Sequence, residues 1–225
     1  MIENLSIFSS LDSIKTSWYF TILIDKNFTR MIHELDKISI DQKTGLEPLT
    51  FNNCDTRFML SDFWKWSASD LISNATRGRF AEFIVASALE VDMTSIRDEW
   101  SPYDLITPEG IKIEVKSAAF IQSWKQKVFS KISFSIKAAR SWNNETLVQS
   151  LTPERCSHIY VFCLLKHLDQ STLNPMNLNQ WEFYLLSTSD LNKYKNNQST
   201  ISLKTLEKLT EPIKYDQIKI AIQQV

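Results

Sequence analysis

An α/β chain of the α+β kind, with a mixed sheet, a helical N-terminal extension and a C-terminal helix, is predicted from three stretches of this sequence. Residues 101–117, SPYDLITPEGIKIEVKS, read as a tight hairpin. Residues 159–165, IYVFCLL, form a continuous apolar run, as in a central strand covered on both faces. Residues 77–91, RGRFAEFIVASALEV, are too long for a strand and read as a helix. A helix followed by strands, with a helical end, implies helices packed on a mixed sheet.

Along the chain, the first sixty residues carry Trp18, Ile22, Ile24, Phe28, Met31, Ile32 and Leu35 at loosely helical spacing, then a polar, irregular part around DQKTGLEPLTFNNCDTR. Ser61 and Asp62 are placed to cap a helix over FWKWSASDLI, and a break at residues 73–76 precedes the second helix. The domain division expected is 1–75 for the helical extension and 76–225 for the core with its C-terminal helix. After the hairpin, Ile132, Phe134 and Ile136 alternate as in a half-buried strand. WEFYLLS, from Trp181, supplies a further strand. At the end, Ser202 can cap LKTLEKL, and Tyr215, Ile218, Ile222 and Val225 form one stripe.

Composition narrows the function classes. A hydrophobic share of 43% over 225 residues is ample for a buried core, and three Gly with six Pro exclude low complexity. Cys54, Cys156 and Cys163 form no CxxC pair, and their odd number suits a reducing, cytoplasmic setting. The start, MIENLSIFSS, lacks the pattern of a secretory leader, and no stretch has the length of a membrane span, so no membrane partner is expected. A net charge of −1 excludes polyanion binding by the molecule as a whole and requires a local patch instead. Such a patch lies between Val115 and Asn144, where Lys116, Lys125, Lys127, Lys131, Lys137 and Arg140 stand without an acid among them. Trp124, Phe129, Phe134 and Trp142 are interleaved, a mixture suited to phosphate contacts and base stacking. Its plainer use is a solvated face over aromatic core residues.

The hairpin carries the chemistry. Thr107-Pro108-Glu109-Gly110 fits a type I turn with Pro at the second position and Gly110 in the left-handed region, closing a three-residue loop. That register pairs Thr107 with Ile111, Ile106 with Lys112, Leu105 with Ile113 and Asp104 with Glu114. Side chains alternate with period 2, so Lys112, Glu114 and Lys116 share a face, and Asp104 lies across from Glu114. Facing carboxylates destabilise a ladder unless a cation or proton sits between them. A hard divalent ion with oxygen ligands answers that need, and Lys116 lies near enough to orient or deprotonate a water. This set matches the requirements of phosphodiester hydrolysis.

Asp104, a short hairpin, then Glu114-Val115-Lys116 resembles the D…ExK signature of the PD-(D/E)XK superfamily, the restriction-endonuclease-like nucleases, here an uncharacterised bacterial branch. The usual Pro is displaced to Pro102. The preceding apolar helix offers Glu82, its odd charged member from Phe80 to Leu89. The resemblance implies a restriction-endonuclease-like core, DNA as partner and Mg²⁺ as cofactor with Mn²⁺ as substitute. It implies a metal set of Asp104, Glu114, the Val115 carbonyl and Glu82, a catalytic Lys116, and a 5′-phosphate product. Glu82 as a surface residue paired with Arg79 is the plainer alternative. The basic segment, Lys125, Lys127, Lys131, Lys137 and Arg140, is the nucleic-acid contact. A second class stays open: a non-catalytic nucleic-acid-binding or partner-binding module on the same fold. The first seventy-five residues are free to serve recognition, a partner or homodimerisation. His33, His158 and His167 lack ligand spacing, and no phosphate-loop motif is present.

Overall fold

Two residues in the left-handed region, Asn52 (φ 50°) and Asn53 (φ 59°), turn a hairpin between β1 (Pro48–Phe51) and β2 (Cys54–Met59). The computed structural model describes residues 38–140, 142, 143, 148–195 and 198–225. Two compact units divide the chain, Met1–Ile40 and Asp41–Val225, and all that follows concerns the second. The apolar spacing expected to give a helix before residue 38 lies outside the described residues. The segment read as irregular is so over residues 41–47, but from Pro48 on it forms this β-hairpin; paired Asn residues tolerate the positive φ that such a turn demands.

Helix α1 (Leu60–Ala68) follows directly, with Met59 rather than Ser61 or Asp62 as its N-cap. Asp62 stabilises the start from the third position, its carboxylate accepting the Met59 amide at 2.9 Å. Helix α2 (Asn74–Ala88) is capped at Ser73, so it begins inside the expected break. Its residues Ala81, Ile84 and Val85 are buried against the sheet.

Among the described residues the main sheet has four strands, β3 (Leu105–Ile106), β4 (Lys112–Ala119), β8 (Ile159–Leu165) and β9 (Trp181–Ser187), in the order β3-β4-β8-β9. β3 and β4 form the expected hairpin, pairing Leu105 with Ile113 and Ile106 with Lys112. Thr107 N donates to Ile111 O at 3.0 Å and Gly110 N to Thr107 O at 2.9 Å, with Gly110 at φ 85°, as the turn chemistry requires. The chain then runs through β5 (Ser133–Ser135), β6 (Trp142–Asn143) and β7 (Val148–Gln149) before reaching β8. β8 lies parallel to β4 and antiparallel to β9, so the sheet is mixed and the fold is α+β. All seven β8 side chains are buried, as its unbroken apolar run implies.

Each face of the sheet packs its own core. On one lie Ile113, Val115, Val161, Cys163 and Phe183, covered by α2 and by Ile218 and Ile222 of the C-terminal helix. On the other lie Tyr160, Phe162, Leu164, Tyr184 and Leu186, covered by Ile132, Phe134 and Ile136. The alternation at 132–136 is real, but β5 pairs with β10 (Thr200–Ser202) in a two-stranded sheet of its own. Helix α3 (Thr188–Lys195) adds Leu191 to this face. Helix α4 (Leu203–Leu206) is capped by the Ser202 hydroxyl, which accepts from Thr205 N, and α5 (Ile218–Gln223) ends the chain. The expected stripe stops at Ile222, since Val225 is exposed.

The short β3 positions the site. It pairs with only the first residues of β4, so from Val115 onward this edge of β4 has no strand neighbour among the described residues.

Candidate active site

Hydrogen-bonding direction along β4 explains why polar groups gather at that edge. The Lys112 carbonyl accepts from His158 N toward β8, so successive backbone groups alternate, and those of Ile113 and Val115 point to the β3 side. The Ile113 carbonyl accepts the Asp104 amide at 3.0 Å. Two residues on, the Val115 amide donates to Asp104 Oδ2 at 2.7 Å. The Asp104 carboxylate therefore takes the place of a strand partner, and by the same alternation the Val115 carbonyl points to this edge.

Glu114 projects from β4 beside Asp104, on the sheet face of Tyr160 and Phe162. The Lys116 ammonium pairs with Glu114 Oε1 and lies 4.0 Å from Asp104 Oδ2, so one cation serves both carboxylates. The Ser157 hydroxyl donates to Glu114 Oε2 at 3.2 Å. Burial, and then the charge of Asp104, push the Glu114 carboxyl above its ordinary pKa, while Lys116 and Ser157 oppose the rise. The hydroxyl of Tyr160, paired with Glu114 across the ladder, is likewise pushed up, mainly by burial.

Glu82 reaches this edge from α2, but both its oxygens are engaged by Arg97: Nε meets Oε2, and Nη2 lies 3.2 Å from Oε1. Burial raises the Glu82 pKa, with Asp104 adding to the rise and Arg97 opposing it. Arg97 continues the network, with Nη1 2.9 Å from Glu99 Oε2 and Nη2 4.0 Å from Asp104 Oδ1. Arg79, the plainer partner for Glu82, pairs with Glu99 instead, at 3.2 Å. Asp104, Glu114 and Lys116 are thus together, and Glu82 joins them through Arg97. Arg97 and Ser157 had no sequence signal, because each meets its carboxylate from a distant segment without a motif.

A cleft of about 430 Å³ opens beside Asp104 and Glu114. Its walls include Lys137, Arg140 and Arg155, together with Trp100, Tyr103 and Trp142. Lys137 and Arg140 of the basic segment therefore share this cleft with the carboxylates. Lys127 lines a different cavity with Trp124 and Phe129, and Lys125 and Lys131 are exposed but line neither. Among the described residues no three His, Cys, Asp or Glu side chains gather as a metal site. The oxygen donors available at the edge are two carboxylates and the Val115 carbonyl, a hard donor set. No helix among the described residues is long and apolar enough to cross a membrane.

Fold and site together define an α+β protein with an acid–lysine cluster at an open sheet edge. The family model described as bacteriophage T4 endonuclease IV matches residues 27–205, most of the chain, and the chain belongs to that nuclease family. Compared with the curated proteins, it matches none.

Proposed function

We propose that this chain is a DNA endonuclease that depends on a divalent cation and is built on the PD-(D/E)XK plan. The observation that carries the reading is the hairpin register, which sets Asp104 and Glu114 side by side with Lys116 shared between them. Membership of an endonuclease family supports it. The donor set also fits Mg²⁺ or Mn²⁺: Asp104, Glu114 and the Val115 carbonyl are oxygen ligands, they leave room for waters, and a monovalent ammonium now balances the carboxylates.

A cation held by these residues would supply neutralisation of phosphate charge and a water that loses its proton near neutral pH. The chain's own groups do the rest. Val115 N holds Asp104 in place, and Ser157 holds Glu114. Lys116 is placed to orient the attacking water once its ammonium is released from Glu114. Lys137 and Arg140 hold flanking phosphates in the cleft, and Trp100 and Trp142 offer faces for bases. Water gives up one proton to solvent and adds at phosphorus in line with the 3′ oxygen, the P–O3′ bond breaks, and the departing oxygen takes a proton from solvent, leaving a 5′-phosphate and a 3′-hydroxyl.

A second reading makes the ion pairs purely structural and the protein a binding module; the complete pairing of Glu82 by Arg97 favours it. One assay separates the two. Supercoiled, linear and branched DNA are incubated with the protein and Mg²⁺ or Mn²⁺. Cleavage that stops on chelation is the expected result, and binding without cleavage of any form at millimolar cation would establish the module.

A further inference from the structure

We infer that the site takes one divalent cation, and that Arg97 occupies the place a second would need. This rests on the reading of Asp104 and Glu114 as cation ligands. Two-cation phosphodiesterase sites hold their ions roughly 3.5–4 Å apart. Such a pair needs a bridging carboxylate and at least one further acid on its outer side. Asp104 turns its oxygens to the two sides of the site: Oδ2 faces Val115 N and Lys116, and Oδ1 faces Arg97. The further acid on the Oδ1 side is Glu82, and Arg97 engages both its oxygens.

A second ion would therefore have to displace a guanidinium. Arginine stays protonated throughout the working pH range, and its planar fork matches a carboxylate at two points. Arg97 is also anchored from behind by Glu99, which Arg79 holds in turn. The Glu82 side chain is only 13% exposed, so water competes little for that pairing. Arg97 is thus a positioning residue that lies against Asp104 Oδ1 and withholds Glu82 from the cation.

The test is a calorimetric titration of the full chain with Mn²⁺, counting ions per chain. Wild type is expected to take one, and Arg97→Lys, which keeps the charge, is expected to take one as well. Arg97→Met frees Glu82 and Asp104 Oδ1 and is expected to take two, returning to one in the Glu82→Gln/Arg97→Met double variant. Two ions on the wild type would overturn this inference and leave the endonuclease reading standing. No ion on the wild type would overturn that reading, and this inference with it. If Arg97→Met does not fold, the wild-type and Arg97→Lys counts decide, and an Arg97→Lys protein that takes two ions contradicts the inference.

Discussion

Glu114 stands where two demands conflict: its strand buries it, and its neighbour Asp104 is another acid. Both favour the protonated form, so in the cation-free protein a proton competes for the ligand position. The sign follows from the raised pKa. The folded chain holds this proton more tightly than the unfolded chain does, so its contribution to stability is present at low pH and is lost as pH rises through the raised value. Divalent cation affinity should run the other way, increasing as pH rises through that value, with proton release on binding. Titrations in buffers of different ionisation enthalpy measure both; an affinity independent of pH, with no proton released, would contradict the assignment. At this scale the sequence was legible where partners lie within one hairpin, which is why Asp104, Glu114 and Lys116 could be placed from turn chemistry alone. Arg97 lies 15 residues from Glu82, and Ser157 lies 43 from Glu114, on segments whose approach depends on tertiary packing.

The hairpin of β3 and β4 is the element that sets the site, and its turn depends on one backbone conformation. Gly110 sits at φ 85°, and a Cβ added there would meet no atom within 4 Å. The cost of Gly110→Ala is therefore conformational rather than steric, about 1–2 kcal/mol. Denaturant melts should show that loss; a variant as stable as wild type would mean that the turn is not held in the left-handed region. Strand β8 was legible because it is an unbroken apolar run, and β9 because WEFYLLS is apolar apart from Glu182 and Ser187; both are buried almost throughout. β1 and β2 were not, since nearly every residue is exposed and no alternation marks them. The strand at 133–135 was legible as a strand but its partner was not: pairing with β10 bridges more than sixty residues and leaves no local trace.

Across the whole molecule, the near-neutral charge leaves nucleic-acid contact to local cations, and the structure divides those in two. Lys137 and Arg140 share the cleft with the carboxylates, whereas Lys127 belongs to a separate cavity. Lys131 and Lys137 flank β5 at alternating exposed positions, where Ile132, Phe134 and Ile136 turn inward. Neutralising Lys137 and Arg140 together should flatten the salt dependence of DNA binding by about one log-log unit per lost phosphate contact. Neutralising Lys125, Lys127 and Lys131 extends the same test along the segment, and an unchanged slope would return those lysines to a solvated face. The α+β class was legible from the order of apolar segments; the division of the basic segment was not, because it depends on where a long connection folds back.

The most direct test of the central claim, that Asp104, Glu114 and Lys116 form one cation-dependent phosphodiesterase site, is single-turnover DNA cleavage by Glu114→Gln at saturating Mn²⁺. Glutamine keeps the shape and the Ser157 contact but removes the charge that holds the cation and balances Lys116. Cleavage is expected to fall by at least about a hundredfold, while thermal melting shows the fold retained. A Glu114→Gln protein that cleaves DNA at the wild-type rate would contradict it.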